Sequence, residues 1–317
     1  MGFMLAAGLL LGASIPCDAR PETSGPPAEA FFAMLGGPVL DGVPTCAERE
    51  VPRAPSPEPS PDLPPRIDRD ADEQDCAPQG CWAWVGWSDR RPMRGAGARL
   101  SIEAPGITGT DHSLAEVALQ WGGADHEIVE IGWEVAPHRH GDAAPHLFIH
   151  RWMRGTPCSG ACGFQRWSRR LWPGMSLERW RGKDLAVGWF LHDGRAWAWA
   201  DGEWLGSFLL DAKAPPRVAS VAQWFGEVFF VRPPPRIPMG NGLPGEAPGS
   251  ARITMVCDVP EGATTCKVRP ERFPRVTEPD VYSLWTASDG GFRYGGPLRP
   301  RPRPSSASGG TPPATGR

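Results

Sequence analysis

The sequence predicts an all-β fold, an antiparallel β-sandwich of two large sheets. Three observations predict it. Short runs of alternating apolar and polar residues recur between turn residues along most of the chain. The 317 residues include 39 Gly and 38 Pro, which break helices and mark turns. No long window carries the 3.6-residue apolar period of a helix packed on a core.

Taken in order, the chain opens on Phe3 to Ala13, an apolar run of the length of a signal-peptide h-region and too short to span a membrane. Small residues follow, and cleavage is expected after Ala19, so residues 1–19 read as a signal peptide and the protein as secreted. Residues 20–75 read as a disordered linker, because Pro52 to Pro65 is too proline-rich to pack and the acidic stretch Asp68 to Asp75 continues it. The folded domain is expected over residues 76–297. Its strands read as Trp82–Trp87, Ala98–Glu103, Glu116–Trp121, Ile128–Val135, Leu147–Trp152 and Asp184–Leu191. Further runs are Arg195–Ala200, Trp204–Leu210, Val218–Val231, Ala251–Cys257 and Val281–Ala287. Each is rich in β-branched or aromatic residues and is bounded by Gly, Pro or Asp. Residues 298–317 read as a second disordered tail, rich in Pro and Arg.

Composition narrows the function. Charged residues make up 22% and the formal net charge is −3, so no nucleic acid or anionic membrane surface is implied. Three lysines and one asparagine against abundant arginine suggest a GC-rich, bacterial genome. Eight cysteines fit an oxidising compartment, and six lie in close pairs: Cys76/Cys81, Cys158/Cys162 and Cys257/Cys266. Local bridges of this kind stabilise by roughly 2–3 kcal/mol each.

Several catalytic signatures are absent, among them GxSxG, HExxH and the Walker loop. Gly240-Asn-Gly-Leu-Pro-Gly245 matches GxGxxG, but Pro244 would disrupt the helix that must follow. His138, His140, His146 and His150 cluster near Asp142 and read as surface histidines. No metal and no other cofactor is expected, and the chain is expected to be a monomer.

Two acids stand where an apolar residue is expected. Glu130 lies between Val129 and Ile131, and Glu227 follows Trp224-Phe-Gly and precedes Val228-Phe-Phe230. Burying a carboxylate in such a strand is costly unless it is paired or protonated. Two that face each other would share a proton, one drawing a proton from water while the other donates. The alternative is that each points to solvent from the outer face of its strand.

The central strands, read in order, resemble the neprosin family. The shared features are Ile128-Val-Glu-Ile-Gly-Trp133 with Pro137 and Gly141-Asp142, then Leu147-Phe148, then the cysteine pair before Gly163-Phe164. Downstream stand Gln223-Trp-Phe-Gly-Glu-Val228, Met239-Gly-Asn-Gly242 and Phe292-Arg-Tyr-Gly-Gly-Pro297. Phe225 stands where the family has a glycine. The resemblance covers roughly residues 93 to 297 and implies a concanavalin-like β-sandwich glutamic peptidase. It implies Glu130 and Glu227 as the catalytic pair, a polypeptide substrate, cleavage after proline in some members and an acidic optimum. Trp133 and Trp224, beside them in sequence, are the expected substrate contacts. A non-catalytic sandwich that binds carbohydrate or peptide through its tryptophans is the alternative.

Overall fold

The computed structural model describes residues 15–22, 25–27, 29–53, 75–77, 80–122, 127–153, 156–159, 163–210, 216–231, 237–268, 273–288 and 290–298. Strands β1 (Cys17–Ala19) and β2 (Glu50–Pro52) pair in the N-terminal segment. The domain begins with β3 (Asp75–Ala77), β4 (Gly80–Asp89), β5 (Met93–Ser101), β6 (His112–Trp121) and β7 (Glu127–Val135). One helical turn, α1 (Pro137–His140), leads to β8 (His146–Met153), β9 (Thr156–Ser159) and β10 (Phe164–Arg166). Next come β11 (Asp184–His192), β12 (Arg195–Ala200), β13 (Glu203–Leu209) and β14 (Val221–Phe230). The last are β15 (Ala251–Pro260), β16 (Lys267–Val268), β17 (Phe273–Val276), β18 (Ser283–Ala287) and β19 (Gly291–Gly295).

These strands form two large antiparallel sheets. The first runs β17-β4-β14-β6-β7-β8-β9, with β3 on β4. The second runs β10-β13-β12-β11-β5-β15-β19-β18, with β16 on β15. Successive side chains of a strand point to opposite faces. One face of each sheet therefore feeds the core between them, through Val117, Ile131, Trp133, Trp224 and Val228 from the first and Leu100, Trp189, Ile253 and Tyr294 from the second. The Trp224 indole Nε1–H donates to the Gly97 carbonyl at 3.0 Å and ties the layers together. The sandwich predicted from the alternating runs is the observed fold.

The N-terminal segment differs from the expected linker. Glu29–Leu35 forms a 3-10 helix whose Phe32 and Leu35 are buried on the outer face of the second sheet. Gly97 and Gly188 make the room: a β-carbon at either would lie 2.9 Å or less from the Phe32 ring. Trp199 and Trp204 close around the same ring, at centroid distances of 5.4 and 6.1 Å. Asp201 accepts the backbone N–H groups of Val39 and Leu40 at 2.6 and 3.0 Å. The prolines that suggested disorder lie mostly beyond Arg53, whereas the aromatic run Phe31-Phe32-Ala-Met-Leu35 has an apolar face to bury.

Cys17 is bridged to Cys46, so cleavage after Ala19 would remove one half of a disulfide and one strand of the β1–β2 ladder. Cys76–Cys81 and Cys257–Cys266 are also bridged. The apolar run 3–13, the proline-rich stretch 54–74, the tail beyond Leu298 and Cys162, the expected partner of Cys158, lie outside the described residues. Among the described residues no helix is long and apolar enough to cross a membrane.

Candidate active site

The first sheet turns its second face away from the core, and that face carries the acids. Strand register fixes where each one stands. On β14, Phe225 lies opposite Glu116 of β6, and Glu227 lies opposite Leu114. On β7, Glu130 lies opposite Ala118, Gly132 opposite Glu116, and Glu134 opposite Leu114. Glu227, Glu116 and Glu130 therefore form a diagonal across three adjacent strands, with Glu116 at its centre. Glu130 and Glu227 share a sheet and a face, but β6 runs between them, so they are not on neighbouring strands. All three are buried, with 1% exposure at Glu116 and 3% at the other two.

Glycine sets the close approach of these strands. A β-carbon at Gly132 would sit 1.8 Å from the Ala115 carbonyl oxygen, and one at Gly226 would sit 2.0 Å from the Tyr294 ring. The glycines of Glu130-Ile-Gly-Trp and Phe-Gly-Glu227 thus let β6 and β7 pack closely and let β14 lie over Tyr294.

Each outer acid has a histidine beside it. His112 Nε2 is 3.8 Å from Glu227 Oε1, and its ring stacks on Phe229 at 5.3 Å. His150, opposite Glu130 on β8, places Nδ1 3.7 Å from Glu130 Oε2. Arg139, from α1, faces His150 Nε2 at 3.5 Å.

Glu134 is held as a carboxylate. Arg139 Nη1 donates to its Oε2 at 2.7 Å and His140 Nε2 to its Oε1 at 2.9 Å. Burial works against its charge, yet the His140 hydrogen bond and the nearby His150 keep its carboxyl below the ordinary value. Burial pulls the Arg139 guanidinium down to about 10, while Glu227 acts to raise it. His146 faces two acceptors, the Gly174 carbonyl at 2.8 Å and Asp142 at 2.9 Å, and stacks on His140 at 4.0 Å.

Glu116 is different. Burial pushes its carboxyl well above the ordinary range, and Glu130, Glu227 and Glu134 push it further. Its Oε1 has no hydrogen-bond partner. Burial and three neighbouring acids thus all favour its neutral form.

Aromatic residues flank the diagonal. Trp84, Phe225, Ala118, Ile128 and Trp152 form one apolar cluster on this face. Trp82 and Phe229 pair near Glu227, with ring centroids 5.0 Å apart.

Measured against the sequence expectations, Glu130 and Glu227 come together on one face. Trp133 and Trp224 do not join them. Both are fully buried in the core between the sheets, because each is an odd number of residues from its glutamate and so points the opposite way. Trp84, Trp152 and Phe225 occupy the glutamate face instead. The four histidines divide: His138 is exposed as expected, whereas His146 and His150 are buried and His140 is engaged with Glu134. Among the described residues no three of His, Cys, Asp and Glu are grouped to hold a metal ion. Glu116 was missed although its signal was present, an acid in the apolar run Leu114-Ala-Glu-Val-Ala-Leu119.

A family model described as Neprosin matches residues 109–297. No curated protein matches the chain. Among solved structures, scytalido-glutamic peptidase with a peptide-based transition-state analogue is similar at 10% identity and a TM-score of 0.43, over 68% of this chain and 98% of that one. A member of the eqolisin peptidases, SCP-B, bound to the tripeptide Ala-Ile-His, is similar at 11% identity and the same TM-score of 0.43, again over 68% and 98%. A beta-porphyranase from the human gut bacterium Bacteroides plebeius is similar at 8% identity and a TM-score of 0.24, over 46% and 54%. These likenesses are distant.

Proposed function

The chain belongs to the neprosin family of glutamic peptidases, and on that premise we propose that it is a secreted endopeptidase in which Glu130 and Glu227 hydrolyse peptide bonds. The observation that carries this reading is their placement: two acids from apolar strands, buried on one face, each beside a histidine. A solvent-facing role for either does not fit 3% exposure.

The chemistry needs one ionised and one protonated carboxyl. The ionised group takes a proton from water as the water oxygen bonds to the scissile carbonyl carbon. The protonated group hydrogen-bonds the carbonyl oxygen as it gains charge, then gives its proton to the leaving nitrogen as the C–N bond breaks. No covalent enzyme intermediate forms. Trp84, Trp152 and Phe225 line the same face of the sheet as the glutamates, and cleavage after proline is the specificity that family membership suggests. Activity is highest in acid, because raising the pH removes the proton that the mechanism spends.

The test is a digestion of an unstructured protein between pH 3 and 7, with product termini read by mass spectrometry. Internal cuts enriched after proline and fastest in acid are expected. A cooperatively folded preparation that cuts nothing across that range contradicts the reading.

A further inference from the structure

We propose that Glu116 is a third working carboxyl of this site, the group through which the proton passes between Glu130 and Glu227 from one turnover to the next. The inference rests on the two-glutamate reading above and deepens it.

The need follows from proton balance. In each turnover the base glutamate gains a proton from water and the acid glutamate loses one to the leaving amine. Before the next turnover the base must give up that proton and the acid must regain one. The two glutamates stand on β7 and β14, and β6 separates them. Glu116 is the carboxyl on the intervening strand, placed diagonally between them. It gives its proton to the ionised acid glutamate and is reprotonated by the base glutamate, so the cycle closes with no net change at Glu116.

Its surroundings suit that task. It is 1% exposed, so bulk water does not compete for its proton. Its Oε1 has no hydrogen-bond partner and so stays available to a neighbouring carboxyl or to a water. Glu227 faces it from β14 and Glu130 and Glu134 from β7, all favouring its neutral form. The basic side chains facing this region lie nearer the other acids: His112 by Glu227, His150 by Glu130, and Arg139 with His140 on Glu134. A neutral acid between two catalytic ones can lend a proton without first leaving a bare charge in the sheet.

The experiment compares steady-state kinetics of Glu116→Gln, Glu130→Gln and Glu227→Gln, each first checked for a cooperative melt. Glu116→Gln keeps shape and neutrality but cannot pass a proton. Its kcat should fall by about a hundredfold while KM stays the same. Formate added to Glu116→Ala, which leaves room for a small acid, should restore kcat in a concentration-dependent way. A residue that only fills space would give neither the kcat loss in the isosteric variant nor the rescue. Wild-type kcat in Glu116→Gln overturns the proposal, and so does failure of formate to raise kcat in Glu116→Ala. If Glu116→Gln does not fold, Glu116→Met carries the same test, and wild-type kcat there overturns the proposal as well. Loss of activity in the two outer variants with normal turnover in Glu116→Gln sinks this inference alone. Retained activity in the outer variants sinks the two-glutamate reading beneath it.

Discussion

Replacing Glu116 by Gln should stabilise the folded protein at neutral pH and leave it unchanged near pH 4. In the unfolded chain Glu116 ionises near the ordinary value of 4.5, whereas in the fold burial and the neighbouring glutamates hold it neutral to well above that. A folded-state pKa raised in this way gives stability that is full below 4.5 and is lost as the pH climbs toward the raised value. The loss runs at about 1.4 kcal/mol per pH unit for as long as the folded carboxyl stays protonated. Gln does not titrate, so the variant lacks this slope. Urea unfolding of both proteins from pH 4 to 7 reads the effect as a gap that opens with pH. Glu134 supplies the opposite control, because its carboxyl is held below the ordinary value. Its contribution is present above 4.5 and lost on acidification, so Glu134→Gln should cost stability at pH 7 and little at low pH. Stability curves for wild type and Glu116→Gln that run parallel from pH 4 to 7 would refute the claim that Glu116 is held neutral.

Three further outcomes are expected. Replacing Cys17 and Cys46 by Ala opens a loop with a sequence separation of 29 and should cost about 3.6 kcal/mol in the chain-entropy account, read from urea midpoints. Phe32→Ala, which empties a fully buried site against Trp199 and Trp204, should cost about 3–5 kcal/mol; a change within error would show that residues 29–53 only rest on the sheet. Gly226→Ala drives a methyl into the buried Tyr294 ring and should displace β14 and with it Glu227, lowering peptidase activity while far-UV circular dichroism remains β-type.

The sandwich was legible because its strands alternate cleanly and its turns carry Gly and Pro. Glu130 and Glu227 were legible because each interrupts an apolar strand within a recognisable motif. Glu116 interrupts its strand in the same way, but only the β14–β6–β7 register shows that it lies between the other two. Register depends on pairing across the sheet, which no local pattern encodes. Trp133 and Trp224 follow a related rule: they are close to the glutamates in sequence, but the strand period sends odd-spaced neighbours to opposite faces, and both lie in the core. The N-terminal segment was hidden by averaging, since the prolines beyond Arg53 outweighed an aromatic run whose binding face exists only once Gly97, Gly188, Trp199 and Trp204 are assembled.

The most direct measurement of the central claim is kcat/KM for Glu130→Gln, Glu227→Gln and the double variant on an unfolded polypeptide at acidic pH. Each single change should reduce it by about a thousandfold or more, because removing one carboxyl removes either the base or the acid. The double change should reduce it scarcely further, because the two groups act as one unit. Wild-type activity in Glu227→Gln, or two losses that simply multiply in the double variant, would contradict the account.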